Sequence, residues 1–172
     1  MICFTTNNAA AIPFSGGISF SGFDTTDNDN LLLATKFLTF SLVRVTSVSG
    51  DYLGVPTGSV TNPGVTFKPF TWNPFSGSVV PLWSFTYSGK TYSLDATSLT
   101  VDFNSASTLV LEGAGTAHIT GFDDSPGLWN ITANSLGGTA SFSASNIVPE
   151  PTSILLLGLG LLGIGFASRK KK

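Results

Sequence analysis

Trp83-Ser84-Phe85-Thr86-Tyr87-Ser88-Gly89-Lys90-Thr91-Tyr92-Ser93-Leu94-Asp95 decides the fold class. Trp83, Phe85 and Tyr87 alternate with Ser84, Thr86 and Ser88, so one face is apolar and the other polar. That is the period of a half-buried strand, because successive side chains leave a strand on opposite sides. Ser88-Gly89 reads as the tight turn of a hairpin into a second strand near 90–95. The same alternation recurs outward from this unit. Leu99, Val101 and Phe103 alternate with Thr100, Asp102 and Asn104. Trp129, Ile131 and Ala133 alternate with Asn130 and Thr132, and Ala140, Phe142 and Ala144 with Ser141, Ser143 and Ser145. Further strands are expected near 16–23, 36–48, 64–72 and 107–120. Leu38, Phe40 and Leu42 share one phase of the 36–48 stretch while Val43 and Val45 take the other, which predicts a bulge or a two-sided strand. Residues 50–81 contain Pro56, Pro63, Pro69, Pro74 and Pro81 and read as loop or edge strand. No stretch before Pro149 has sustained helical periodicity. The expectation is an all-β chain: a single antiparallel β-sandwich or jelly-roll-like domain over 12–147, followed by a C-terminal transmembrane helix.

Composition narrows the function classes. The chain has 172 residues, with only 10% charged, 12% aromatic, 19 glycines, one cysteine and one histidine. Several cysteines would be needed for a disulfide scaffold, and a basic excess for a nucleic-acid binder; the formal net charge is −2. That charge hides two unlike ends. Residues 1–148 hold Lys36, Arg44, Lys68 and Lys90 against nine acids, a balance of −5. Residues 149–172 hold Glu150 against Arg169, Lys170, Lys171 and Lys172, a balance of +3.

The C-terminal end has its own pattern. Ile154, Leu155, Leu156, Leu157, Gly158, Leu159, Gly160, Leu161, Leu162, Gly163, Ile164, Gly165, Phe166 and Ala167 form an apolar run with no polar face. As a helix it would span about 21 Å at ~1.5 Å per residue, short of a ~30 Å hydrocarbon core. The long stems of Arg169, Lys170, Lys171 and Lys172 can offset that deficit by reaching back to the interface. Pro149 and Pro151 break the chain ahead of the run, so it is expected to insert in a membrane with its basic stop on the cytoplasmic side.

Val148-Pro149-Glu150-Pro151, the apolar run and the four terminal cations together resemble the PEP-CTERM sorting signal of bacterial exported proteins. The resemblance covers residues 148–172. It implies recognition by exosortase, a membrane-embedded cysteine protease and transpeptidase. It also implies export by the secretion machinery, a temporary inner-membrane anchor with the domain outside the cytoplasm, and cleavage near the Pro-Glu-Pro motif. The final place would be the cell surface or the extracellular matrix. Asn8-Ala9-Ala10-Ala11-Ile12-Pro13 resembles the small-residue end of a signal peptide, so residues 1–11 are expected to be a remnant of one whose start lies upstream.

Candidate chemistry in the domain is sparse. His118 shares a strand face with Glu112 and Thr116 and reads as a solvated histidine, not a catalytic base. Asp102 with Glu112, and Asp123 with Asp124, are the carboxylate pairs a glycoside hydrolase would need, yet each also suits a solvent-facing strand or a turn. No cofactor is expected; Asp24, Asp27, Asn28 and Asp29 lie in the run Asp24–Asn30, which makes calcium the best candidate for one. The same residues also favour plain turns. Trp72, in the Pro-rich stretch, is expected to be the exposed indole that could stack on exopolysaccharide, whereas Trp83 and Trp129 fit a core. The functional expectation is a non-catalytic surface or matrix protein. A calcium- or carbohydrate-binding module is the alternative, and a secreted hydrolase stands behind it.

Overall fold

The computed structural model describes residues 12–136 and 139–148. The remnant expected at 1–11 and the transmembrane helix expected at 154–167 lie outside them. Among the described residues, no helix is long and apolar enough to cross a membrane.

The fold is all-β and almost wholly antiparallel. Eleven strands follow one another: β1 Ile12–Pro13, β2 Gly16–Thr26, β3 Phe37–Val48, β4 Thr66–Phe67, β5 Val79–Tyr87, β6 Lys90–Ala96, β7 Thr100–Asn104, β8 Thr108–Ile119, β9 Phe122–Asp123, β10 Ser125–Leu136 and β11 Thr139–Val148. β1 and β9 make a short parallel pair, and the other nine strands form one sheet. The hydrogen-bonded order is β3-β2-β11-β10-β8-β6-β5-β4. β7 also lies on β8, so one edge of β8 carries β7 along its first half and β6 along its second.

The β5–β6 hairpin has the turn its residues specify. Ser88 and Gly89 both have positive φ, 49° and 75°, and Tyr87 pairs with Lys90. Two left-handed residues give a turn whose twist matches that of the strands it joins. The phase change expected in β3 is also present. Leu42 has a φ of 49°, and the β2–β3 register slips between Ser21 and Phe23. Beyond it Val43 and Val45 point inward, while Leu38 and Leu42 face solvent.

The sheet curls until its two ends meet. Phe37 donates its N–H to the Phe70 carbonyl at 2.9 Å, and Trp72 donates to Thr35 at 2.9 Å. The segment after β4 therefore closes on the start of β3. Strands far apart in the hydrogen-bonded order face each other across the core: the Phe20 ring in β2 lies 4.9 Å from Trp83 in β5 and 5.3 Å from Phe67 in β4. Each such ring, once buried, contributes about 1.5–3 kcal/mol.

The Pro-rich stretch corrects two expectations. The strand expected over 64–72 is regular only at Thr66–Phe67, since Pro63 and Pro69 flank it and have no N–H to give a ladder. Trp72 is not exposed. It is 3% accessible and its ring sits 4.7 Å from Phe37. Tyr52, Val55, Phe67 and Phe70 from the same stretch are buried as well. The loop closes the open end of the curled sheet and so supplies core, which its lack of periodicity concealed.

Candidate functional site

The Asp-rich run spends its oxygens on its own backbone. Asp27 follows the last residue of β2. One of its carboxylate oxygens accepts the N–H of Thr35 at 2.8 Å and of Lys36 at 3.1 Å, and the other accepts the Thr35 hydroxyl at 2.6 Å. The Thr35 hydroxyl and then the Thr35 N–H hold its carboxyl down at about 2. Asn28 accepts the Asn30 N–H at 2.9 Å, and Asn30 accepts the Leu32 N–H at 3.1 Å, the Asx pattern of a turn. Asp24 is elsewhere. It continues the inward phase of Ile18 and Phe20 and is 3% accessible. Neither of its carboxyl oxygens has a hydrogen-bond partner, and burial pushes the group up to about 6. The four residues considered for calcium, Asp24, Asp27, Asn28 and Asp29, are thus not gathered around one point. Among the described residues no three His, Cys, Asp or Glu side chains are grouped to hold a metal.

Asp27 has a measurable consequence. Its folded carboxyl titrates below the ordinary 3.8, so its contribution is present above that value and is lost as pH falls towards 2. Asp27→Ala is expected to lower the thermal midpoint at pH 7, with the gap from wild type closing between about pH 4 and pH 2. Thermal melts across that range check it; a constant gap would mean that the carboxylate is not what holds the turn.

His118 is not simply solvated. Its Nδ1 lies 2.6 Å from an Asp124 carboxylate oxygen, and its Nε2 lies 3.3 Å from Asp95. The Asp95 contact is ionic in distance but lacks hydrogen-bond geometry. Asp95 comes from β6 beside His118, and Asp124 from the junction of β9 and β10, reached through the turn at Thr120 and Gly121. Gly121 makes that turn possible with a φ of 89°. The ring ties three segments together. The two carboxylates lie on opposite ring edges and so do not converge on one metal ion. The Asp123 and Asp124 side chains part: Asp123 belongs to the β1–β9 pair, opposite Pro13, while Asp124 meets His118. β7 and β8 do pair, but Glu112 stands opposite Thr100, and Asp102 falls in the register slip between Val101 and Phe103.

A groove of about 440 Å³ lies over β7, β8, β10 and β11. Register places two rows of side chains there on one face. Thr100, Glu112 and Asn130 are directly opposite one another across β7, β8 and β10. Two residues along, Ala114, Leu128 and Ile147 are opposite across β8, β10 and β11. Leu128 and Ile147 remain 58% and 57% accessible. Beneath them Trp129 turns to the opposite face and packs against Gly113, its indole N–H donating to the Ala114 carbonyl at 3.1 Å. The alternation of 129–133 marks Trp129 as core and Asn130 as outward. Which strands bring Thr100 and Ile147 alongside is a matter of register, which no local pattern carries.

The sorting motif abuts this sheet. Val148 is the last residue of β11 and pairs with Gly16 of β2. Pro149, Glu150, Pro151 and the run beyond lie outside the described residues. A family model of the PEP-CTERM protein-sorting motif matches residues 148–171, so the chain carries that motif. Such a motif marks an exported protein that exosortase recognises and that is handled at the membrane. No curated protein and no solved structure matches the chain significantly.

Proposed function

We propose that the chain is the precursor of a non-catalytic surface or extracellular-matrix protein. Its apolar run holds it in the inner membrane with the β domain outside the cytoplasm, and exosortase cuts it near Pro149-Glu150-Pro151. The observation that carries this reading is the sorting-motif match at 148–171. Its position supports the same reading: the match begins at Val148, which pairs with Gly16 of β2, so in sequence the signal directly follows the sheet. Two prolines around Glu150 favour an extended, accessible backbone there, which a protease requires. The four cations that follow the run favour a cytoplasmic end, which leaves the domain on the far side. For a non-catalytic domain, the support is His118, whose two ring nitrogens face Asp124 and Asp95.

Changing Pro149, Glu150 and Pro151 together to alanine in the native host tests the proposal. The wild-type protein is expected at reduced mass outside the inner membrane, and the variant at full mass within it. Unchanged release with an unchanged mature mass would overturn the exosortase reading.

A further inference from the structure

We propose that the groove over β7, β8, β10 and β11 binds a neutral oligosaccharide. The inference does not depend on how the chain is sorted. It rests on the two parallel rows of side chains. Thr100, Glu112 and Asn130 supply a hydroxyl, a carboxylate and an amide in line, which together donate and accept hydrogen bonds. Ala114, Leu128 and Ile147 supply an apolar row beside them, about 7 Å away at two residues' rise along the strand. A pyranose ring has the matching anatomy, with a C–H face and a rim of hydroxyl groups. Each row crosses three strands at ~4.8 Å spacing and is therefore about 10 Å long, the reach of a disaccharide rather than one sugar.

Charge selects among ligand classes. Lys36, Arg44, Lys68 and Lys90 are the cations among the described residues, and none lines the groove. Glu112 would repel an anion. A lone exposed carboxylate also holds a cation poorly, since an exposed ion pair contributes only about 0.2–1 kcal/mol. A neutral ligand with hydroxyls along one side and an apolar face along the other matches both rows. The apolar row is open to an occupant of that kind: Leu128 and Ile147 are cross-strand neighbours that both stay more than half accessible on a paired sheet face. The groove's volume is within the ordinary range of ligand sites.

The test is calorimetric titration of the full chain, held in a zwitterionic detergent so that no sugar headgroup competes. The probes are cellohexaose, xylohexaose and mannohexaose, with spermidine and polygalacturonate as charged comparisons. At least one neutral hexasaccharide is expected to bind. Glu112→Ala and Leu128→Ala are each expected to weaken it on the order of tenfold. Both side chains are exposed, so the thermal midpoint of each variant should stay at the wild-type value and show that the fold is intact. Binding of spermidine or polygalacturonate in place of the hexasaccharides would overturn the proposal. So would silence from all three sugars, or sugar binding that neither substitution alters.

Discussion

Gly115→Ala is expected to destabilise the domain by about 3 kcal/mol, the upper end for forcing one extra group into a packed interior. The new Cβ would lie 2.1 Å from the Asp95 carbonyl oxygen and 3.2 Å from the Ala96 Cα. Those are backbone atoms, so no rotamer change can relieve the clash. The backbone is also held on both sides: β6 is bonded to β5 as well as β8, and Gly115 stands opposite Ala96 on one edge and Gly127 on the other. Gly113 is similarly confined, by the Ser98 carbonyl and the Trp129 ring. The chain passing from β6 to β7 runs alongside β8 there, with the N–H groups of Thr97 and Ser98 both directed at the Ala114 carbonyl. Inward positions 113 and 115 are thus filled by adjoining backbone and an indole instead of by side chains of their own. Urea unfolding measures the effect, with Gly64→Ala as the control. A Cβ at Gly64 would have its nearest neighbour at 3.8 Å, and stability should barely move. Equal midpoints for Gly115→Ala and wild type would refute this account of the close approach.

The hairpin at 83–95 was fully legible in the sequence because alternation and turn chemistry agree over a short span. The irregularity in β3 was legible only as a bulge or a two-sided strand, since Leu38, Phe40 and Leu42 take one phase and Val43 and Val45 the other. The register slip between Ser21 and Phe23 makes it a bulge. Trp72 was not legible. Its neighbours carry no periodicity, and its burial comes from a loop folding back on Phe37, a contact between residues 35 apart in the chain. The clamp on His118 was half legible. Asp124 is six residues on, past a Gly121 turn, but Asp95 arrives by the pairing of β6 with β8. Asp24 was legible in principle. It falls in phase with Ile18 and Phe20, and that phase competes with its membership of the Asp-rich run. The groove was the least legible feature, because Thr100, Glu112, Asn130 and Ile147 come from four strands.

Asp24 provides the second large expectation. The group titrates at about 6 in the folded protein against an ordinary 3.8, because burial disfavours its charged form. The folded state therefore holds a proton over a range in which the unfolded chain has already released it. Stability must fall as pH rises from about 4 to about 6, and the loss is then complete. At 1.36 kcal/mol per pH unit, ionised Asp24 costs the domain about 3 kcal/mol at neutral pH. Asp24→Asn keeps the shape and removes the charge. It is expected to match wild type near pH 4, where Asp24 is protonated, and to exceed it by that margin at pH 7. Asp27 acts in the opposite direction but between about pH 2 and pH 4, so the two windows barely overlap and the midpoints can be assigned. Wild-type stability should then peak near pH 4, with an acid limb from Asp27 and a neutral limb from Asp24. Urea midpoints at pH 4, 5, 6 and 7 decide the matter. Parallel decline in Asp24→Asn and wild type would place the titrating group elsewhere, whereas a flat profile in the variant alone assigns the neutral limb to a single carboxyl group in the core.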